Sequence, residues 1–179
     1  MKKIALLVCI LALAVCASAQ TLITFSNLTP SSSPISVPNG YGNLDWEHVH
    51  SVDPLLWAGS GPGFTNGPDA VSAFVGGNYV CVFQPAACRA TISGSAAMPR
   101  FQALSASVSA GYQQNVVTFV AYLAGVEVGR QDFNLTVTNQ VIDFPTTWGT
   151  IDQLKIWPHV GGGQFGSVVF YTLTIMPEP

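Results

Sequence analysis

Charge is what this sequence has least of. Only six Lys or Arg and nine Asp or Glu occur among 179 residues, 8% of the chain. Lys2 and Lys3 stand at the N-terminus, and the other four basic residues, Arg89, Arg100, Arg130 and Lys155, lie far apart. Phosphate backbones are neutralised by clustered Lys and Arg, so no nucleic-acid partner is expected. Helical periodicity is missing as well: beyond the first twenty residues no window repeats apolar positions at helical spacing. No segment after the N-terminus approaches about 18 continuous apolar residues, so no membrane span is expected. There is no Gly-x-Ser-x-Gly elbow of the kind that presents a nucleophilic serine.

The N-terminus reads as an export signal. Lys2 and Lys3 supply the positive region, Ile4 to Val15 the apolar stretch, and Ala17-Ser18-Ala19 the small residues before Gln20. The division expected is a signal peptide over residues 1–19 and one domain over 20–179, secreted and extracellular. Cys9 and Cys16 leave with the signal, and Cys81 and Cys88 remain as an even pair in an oxidising compartment. A disulfide between them is expected, with Pro85 turning the short loop. Asn27-Leu28-Thr29 and Asn134-Leu135-Thr136 are glycosylation sequons, the first followed by Pro30.

What is abundant is β-forming sequence in short runs, broken about every 8–12 residues by Gly, Pro, Asn or Ser. Strands are expected at Thr21 to Phe25, Asp69 to Val75, Tyr79 to Phe83 and Phe101 to Ala110. Tyr41 to Val49 reads as half extended. Val116 to Leu123 and Val126 to Val137 form a hairpin across Ala124-Gly125. Val141 to Phe144, Ile151 to Trp157 and Val168 to Ile175 complete the set. Thr29 to Pro38 and Pro54 to Pro68 are loops rich in proline. Antiparallel strands with one dry face pack as an all-β, two-sheet antiparallel β-sandwich.

Several segments carry a resemblance. They are Ile23-Thr24-Phe25, then Pro38-Asn39-Gly40-Tyr41-Gly42-Asn43-Leu44-Asp45-Trp46, then Gly125-Val126-Glu127-Val128-Gly129 with Phe133. Trp148-Gly149-Thr150-Ile151-Asp152-Gln153-Leu154 and Leu173-Thr174-Ile175 follow in order. Together they resemble an uncharacterised family of secreted β-sandwich domains found in fungi and in bacterial PEP-CTERM-type proteins. The resemblance implies a jelly-roll or galactose-binding-like sandwich, the architecture of many carbohydrate-binding modules, and no known activity. Related domains carry acidic residues after the first strand and Asp-Asn before the last Leu-Thr-Ile, oxygen ligands suited to a structural calcium. Ser26-Asn27 and Tyr171-Thr172 stand there in this chain, so no cofactor is expected. Met176-Pro177-Glu178-Pro179 is similar to a PEP motif, but without the helix and basic cluster of a sorting tail.

Three sets of residues suggest chemistry. Tyr41, Trp46, Trp57 and Trp157 are flat rings near turns, able to stack on sugar C–H faces, with Asn43 and Asp45 placed to bind hydroxyls. Trp46 and Trp148 flank strands, which favours packing; Trp57 and Trp157 are the better exposed candidates. In Glu47-His48-Val49-His50, an extended backbone points His48 and His50 to one face, and Asp53 and His159 could complete a metal site. Surface histidines are the commoner outcome. Asp45, Glu47, Asp53 and Asp69 could supply the two acids of a glycosidase. The reading is a non-catalytic, monomeric module that binds extracellular or cell-wall polysaccharide. The alternatives are a structural or adhesive surface protein and, behind it, a secreted hydrolase.

Overall fold

The computed structural model describes residues 19–56, 61–65, 71–76, 89–159 and 166–178. Twelve strands run through them. They are β1 (Thr21–Thr24), β2 (Ile35–Ser36), β3 (Leu44–Glu47), β4 (Val49–Val52), β5 (Ser72–Gly76) and β6 (Ala90–Gly94). Then come β7 (Phe101–Ala110), β8 (Asn115–Leu123), β9 (Val126–Leu135), β10 (Gln140–Asp143), β11 (Gln153–Pro158) and β12 (Ser167–Pro177). Single 3-10 turns stand at Tyr41–Asn43, Pro62–Phe64 and Thr146–Trp148.

The pairings nest. β8 pairs with β9, β7 with β10, β6 with β11 and β5 with β12, all antiparallel. This is one long hairpin folded over on itself, with the β8–β9 turn innermost. Successive pairs alternate between sheets, giving the order β6-β11-β8-β9 in one and β10-β7-β12-β5 in the other. That is jelly-roll order. β3 extends the first sheet to five strands, and β4, β2 and β1 bring the second to seven. The expected two-sheet antiparallel sandwich is therefore the observed fold.

The innermost turn has a definite geometry. Ala124 (φ 51°) and Gly125 (φ 79°) are both left-handed, the type I′ pattern whose twist matches the flanking strands. The Ala124 N–H donates to Asp152 Oδ2 at 2.6 Å, tying the hairpin tip to the entry of β11. From this tip, alternation drives one face of each strand inward. Val117, Phe119 and Ala121 of β8 meet Leu154 and Ile156 of β11 in the core, facing Val168 and Phe170 of the other sheet. Phe119 takes Phe133, Phe144 and Phe170 edge-on, with ring centroids 5.6, 5.2 and 6.1 Å away. Edge-on geometry sets the positive ring rim against a negative face. Trp148 fills the space over Gly129, where a Cβ would lie 2.1 Å from its ring.

Part of the outer face of the seven-stranded sheet is also dry. Val52, Phe74, Val169 and Tyr171 form a second cluster there, capped by Phe64 from the 3-10 turn at Pro62–Phe64. The buried Gly63 carbonyl accepts from Ser109 Oγ at 2.6 Å and from the Tyr171 hydroxyl. The Gly63 N–H donates to Gly111 O at 2.8 Å. These bonds draw the loop so close that a Cβ on Gly63 would lie 1.7 Å from Ala110 O.

Two local readings of the sequence need correction, and a third gains detail. Tyr41 to Val49 is half extended, a 3-10 turn followed by β3, and His48, at φ 57°, turns the chain from β3 in one sheet to β4 in the other. The apolar spacing slips from two to three there, Leu44 and Trp46 being followed by Val49 in the core. β2 lies in the stretch read as a loop, and β6 lies where no strand was expected. Residues 1–18, the expected strand Tyr79 to Phe83, Trp57, Cys81 and Cys88 lie outside the described residues. Among the described residues no helix is long and apolar enough to cross a membrane.

Two substitutions test this architecture by urea unfolding. Gly63→Ala should cost about 3 kcal/mol or more, because backbone rather than a movable side chain opposes the new methyl. Ala124→Asn should add about 0.5–1 kcal/mol, since Asn tolerates the left-handed conformation that Ala resists.

Candidate functional site

Alternation determines which side chains the five-stranded sheet turns outward. In β11, Leu154 and Ile156 are buried, so Lys155 and Trp157 point away from the core. By the same rule Thr118, Val120 and Tyr122 of β8, Thr91 of β6, and Asp45 and Glu47 of β3 face outward. Register then places Lys155 between Thr91 and Val120, and Trp157 beside Thr118. The result is an open cleft of about 340 Å³ lined by Glu47, His48, Arg89, Thr91, Tyr122, Lys155 and Trp157.

Cations cover the rings in this cleft. The Arg89 guanidinium carbon lies 4.6 Å from the Trp157 ring centre and that of Arg130 4.7 Å, approaching from opposite sides of β11. Lys155 Nζ lies 4.4 Å from the centre of the Tyr122 ring. The negative ring face attracts each cation and holds it in place. Three basic residues that the sequence spaces far apart are thus brought to one face by strand pairing. Arg130 is forked onto Glu127 at 3.0 and 2.9 Å, and this bond holds the Glu127 carboxyl below the ordinary carboxylate range. Arg89 and Lys155 enter no ion pair among the described residues. The Trp157 Nε1–H is sealed from solvent and finds no acceptor among the described residues.

A short relay closes one end of the face. Thr118 Oγ1 donates to Asp132 Oδ1 at 2.6 Å. A hydroxyl has one proton, so its 2.6 Å contact with His159 Nε2 is one in which the imidazole N–H donates. His159 is therefore committed here.

The other expected site residues are placed differently. Trp46 is buried, its Nε1–H donates to Tyr41 O at 2.8 Å, and its ring packs against Phe25. Tyr41 stacks on Phe25, and its hydroxyl meets Thr24 O and Asn27 Oδ1. Asp45 Oδ1 accepts from Gly40 N–H at 3.1 Å, Asn39 Oδ1 accepts from Trp46 N–H at 2.9 Å, and Asn43 O accepts from Ser95 Oγ at 2.7 Å. Gly40 and Asn43 are left-handed, and Gly42 lies against Ile23. Pro38 to Trp46 is thus a self-bonded turn that plugs one end of the sandwich. Trp46 presents no open face to a sugar, and Tyr41 is half-buried with its ring on Phe25.

The metal reading fails on geometry. His48 ends at the cleft, its Nδ1 3.0 Å from Arg89 O, while His50 packs against Phe74 on the other sheet. The turn at His48 is what separates the directions of the two rings. Asp53 Oδ1 caps its own loop by accepting from Leu55 N–H at 2.9 Å. No group of three His, Cys, Asp or Glu among the described residues could hold a metal ion. The residues standing where the resemblance implies calcium donors are engaged elsewhere. Asn27 Oδ1 meets the Tyr41 hydroxyl, and the Tyr171 hydroxyl meets Gly63 in the outer cluster, so these residues do not fit the ion. Glu47 is the one carboxylate lining the cleft among the described residues, so a two-acid arrangement does not assemble there.

Arg89, Lys155 and Tyr122 were not singled out from the sequence. A signal for Lys155 was available: Leu154, Ile156 and Pro158 alternate inward, which sends 153, 155, 157 and 159 outward together.

His50 supplies a pH test. Burial, and then the neighbouring His48, hold its imidazole below the usual 6.5. The folded protein thus takes up this proton at lower pH than the unfolded chain. Its contribution to stability is complete above 6.5 and is lost as pH falls through the folded value. Thermal midpoints should fall more between pH 7 and about 5 in the native chain than in His50→Gln, which lacks that proton site.

Comparisons add little beyond the fold. No protein-family model and no curated protein matches the chain. Among solved structures, one described as "CBM4 structure and function" is similar at 12% identity, over 92% of this chain and 90% of that one, with a TM-score of 0.32. A likeness of that size carries no argument about ligand or mechanism.

Proposed function

We propose that this chain is a secreted, non-catalytic carbohydrate-binding module that takes glycan on the outer face of the five-stranded sheet, at the Trp157–Tyr122 cleft. The observation that carries this reading is Trp157. An indole occupies an outward position where its N–H is buried without an acceptor among the described residues. Leaving such a donor unpaired costs about 1–3 kcal/mol. Phenylalanine would pack a β-strand there without that cost, so the indole is kept for what its face holds, the guanidiniums of Arg89 and Arg130. The surrounding side chains are of the kind that orient sugars: two rings, the Thr91 hydroxyl, the Glu47 carboxylate and three cations. The export signal and the resemblance to secreted sandwich domains agree with an extracellular polysaccharide as partner. The second reading, a structural or adhesive protein without a small ligand, draws on Tyr41, Trp46 and Trp148, whose rings pack into the sandwich.

The two are separated by retention of the purified protein on insoluble and arrayed polysaccharides. Under the module reading, Trp157→Ala weakens retention by about tenfold or more, close to 1.4 kcal/mol. Trp157→Phe then unfolds at the same urea concentration as the native chain or a higher one. Trp46→Ala, by contrast, should lose about 3–5 kcal/mol of stability. A folded native protein that no polysaccharide retains would leave the structural reading in place.

A further inference from the structure

We infer that the glycan is anionic: a sugar chain bearing carboxylate or sulfate groups, bound by Arg89 and Lys155 in the cleft. This rests on the reading of the cleft as a glycan site and names the class of glycan. The sequence holds nine acidic and six basic residues, and Lys2 and Lys3 belong to the expected signal. Of the four basic residues that remain, Arg89, Arg130 and Lys155 converge on this one face. In so acidic a chain, cations would be expected to find carboxylates. Arg130 does, in Glu127. Arg89 and Lys155 do not, among the described residues; each rests on a ring, which holds the cation without neutralising it. Among the described residues Glu47 is the single carboxylate lining the cleft against these two cations, so that lining has an excess of one positive charge.

Ring geometry points the same way. Trp157 already holds two guanidinium carbons within 4.7 Å of its ring centre, so a neutral sugar would compete with an arginine for that ring. An anionic sugar gains from the same arrangement. The planar guanidinium of Arg89 presents paired N–H donors suited to a carboxylate or sulfate, and the indole orients it beforehand. Lys155 adds a point charge at the neighbouring ring, and Thr91 a hydroxyl between them.

The test is binding by the purified full-chain product to paired probes that differ only in charge. Polygalacturonate is set against its methyl ester, and dextran sulfate against dextran. The inference expects at least one charged probe to bind and its neutral partner to bind about tenfold more weakly, with affinity falling as salt rises. Whichever charged probe binds identifies the acidic group as uronate or sulfate ester. Arg89→Ala and Lys155→Ala should each weaken that binding by about tenfold. Glu47→Gln, an exposed change that leaves the core untouched, should strengthen it several-fold. Binding of neutral probes alone, with loss in Trp157→Ala, overturns this inference and leaves the glycan site standing. Failure of all glycans overturns both. Charged-probe binding indifferent to the three charge variants, or matched by single-stranded DNA, overturns the inference as unspecific polyanion attraction.

Discussion

The register of the β8–β9 hairpin is the constraint on which the rest depends. Ala124 and Gly125 admit one turn geometry, and Asp152 fastens it to the next strand of the sheet. Because the pairings nest around this tip, register set there passes outward from β8–β9 to β11 and β6, and across the sandwich to β7, β10 and β12. A slip of one residue in β11 would exchange its faces, burying Lys155 and Trp157 and exposing Leu154 and Ile156. Core and cleft are therefore two sides of one register. The bulge in β9, between the partners of Ala121 and Tyr122, adjusts that register locally. Past it, Gly129 lies under Trp148, while Glu127 and Arg130 bond to each other on the exposed side.

The two outer faces of the sandwich are treated differently. On the seven-stranded sheet, Phe64 and Gly63 close over Phe74 and Tyr171, and the buried polar atoms of Ser109 and Tyr171 are satisfied by the Gly63 carbonyl. That part of the face is a third layer of core. On the five-stranded sheet, the described residues include no such cover. Outward positions there carry Thr, Lys, Tyr, Trp and Glu, side chains whose polar atoms can remain in water. A domain with little charge keeps most of its cations on this second face, which distinguishes it chemically as well as sterically.

The fold was legible because alternation and turn chemistry are local. The hairpin at Ala124-Gly125, the strand Phe101–Ala110 and the C-terminal strand each carry their signal within a dozen residues. β6 was missed because Ala90–Gly94 is short, lacks aromatic residues and runs into Gly94-Ser95, although its alternation of Ala90 and Ile92 against Thr91 and Ser93 is regular. The break at His48 was missed because a left-handed histidine has no composition signal. Only the slip in apolar spacing between Trp46 and Val49 records it. The site was less legible than the fold for a different reason. Tyr122, Lys155 and Arg130 come from three strands and Arg89 from the residue before β6, and what unites them is pairing between strands distant in sequence. Of the rings named from sequence and described here, Trp157 alone lines the cleft.

The segments behind the family resemblance have a common property once placed in the fold. Pro38 to Trp46 is a self-bonded plug, Gly125 makes the innermost turn, Gly129 makes room for Trp148, and Gly149 is left-handed after it. Each satisfies a backbone or packing demand that any chain with this topology meets. The cleft residues Arg89, Tyr122, Lys155 and Trp157 all lie outside those segments. Segments of this kind fix the architecture and leave the outward positions of β6, β8 and β11 unconstrained, since alternation requires only that alternate residues be apolar. Ligand chemistry in such a domain is therefore written in the outward parity of a few strands. Two chains with the same plug and hairpin could bind unlike partners by exchanging side chains that the fold does not constrain.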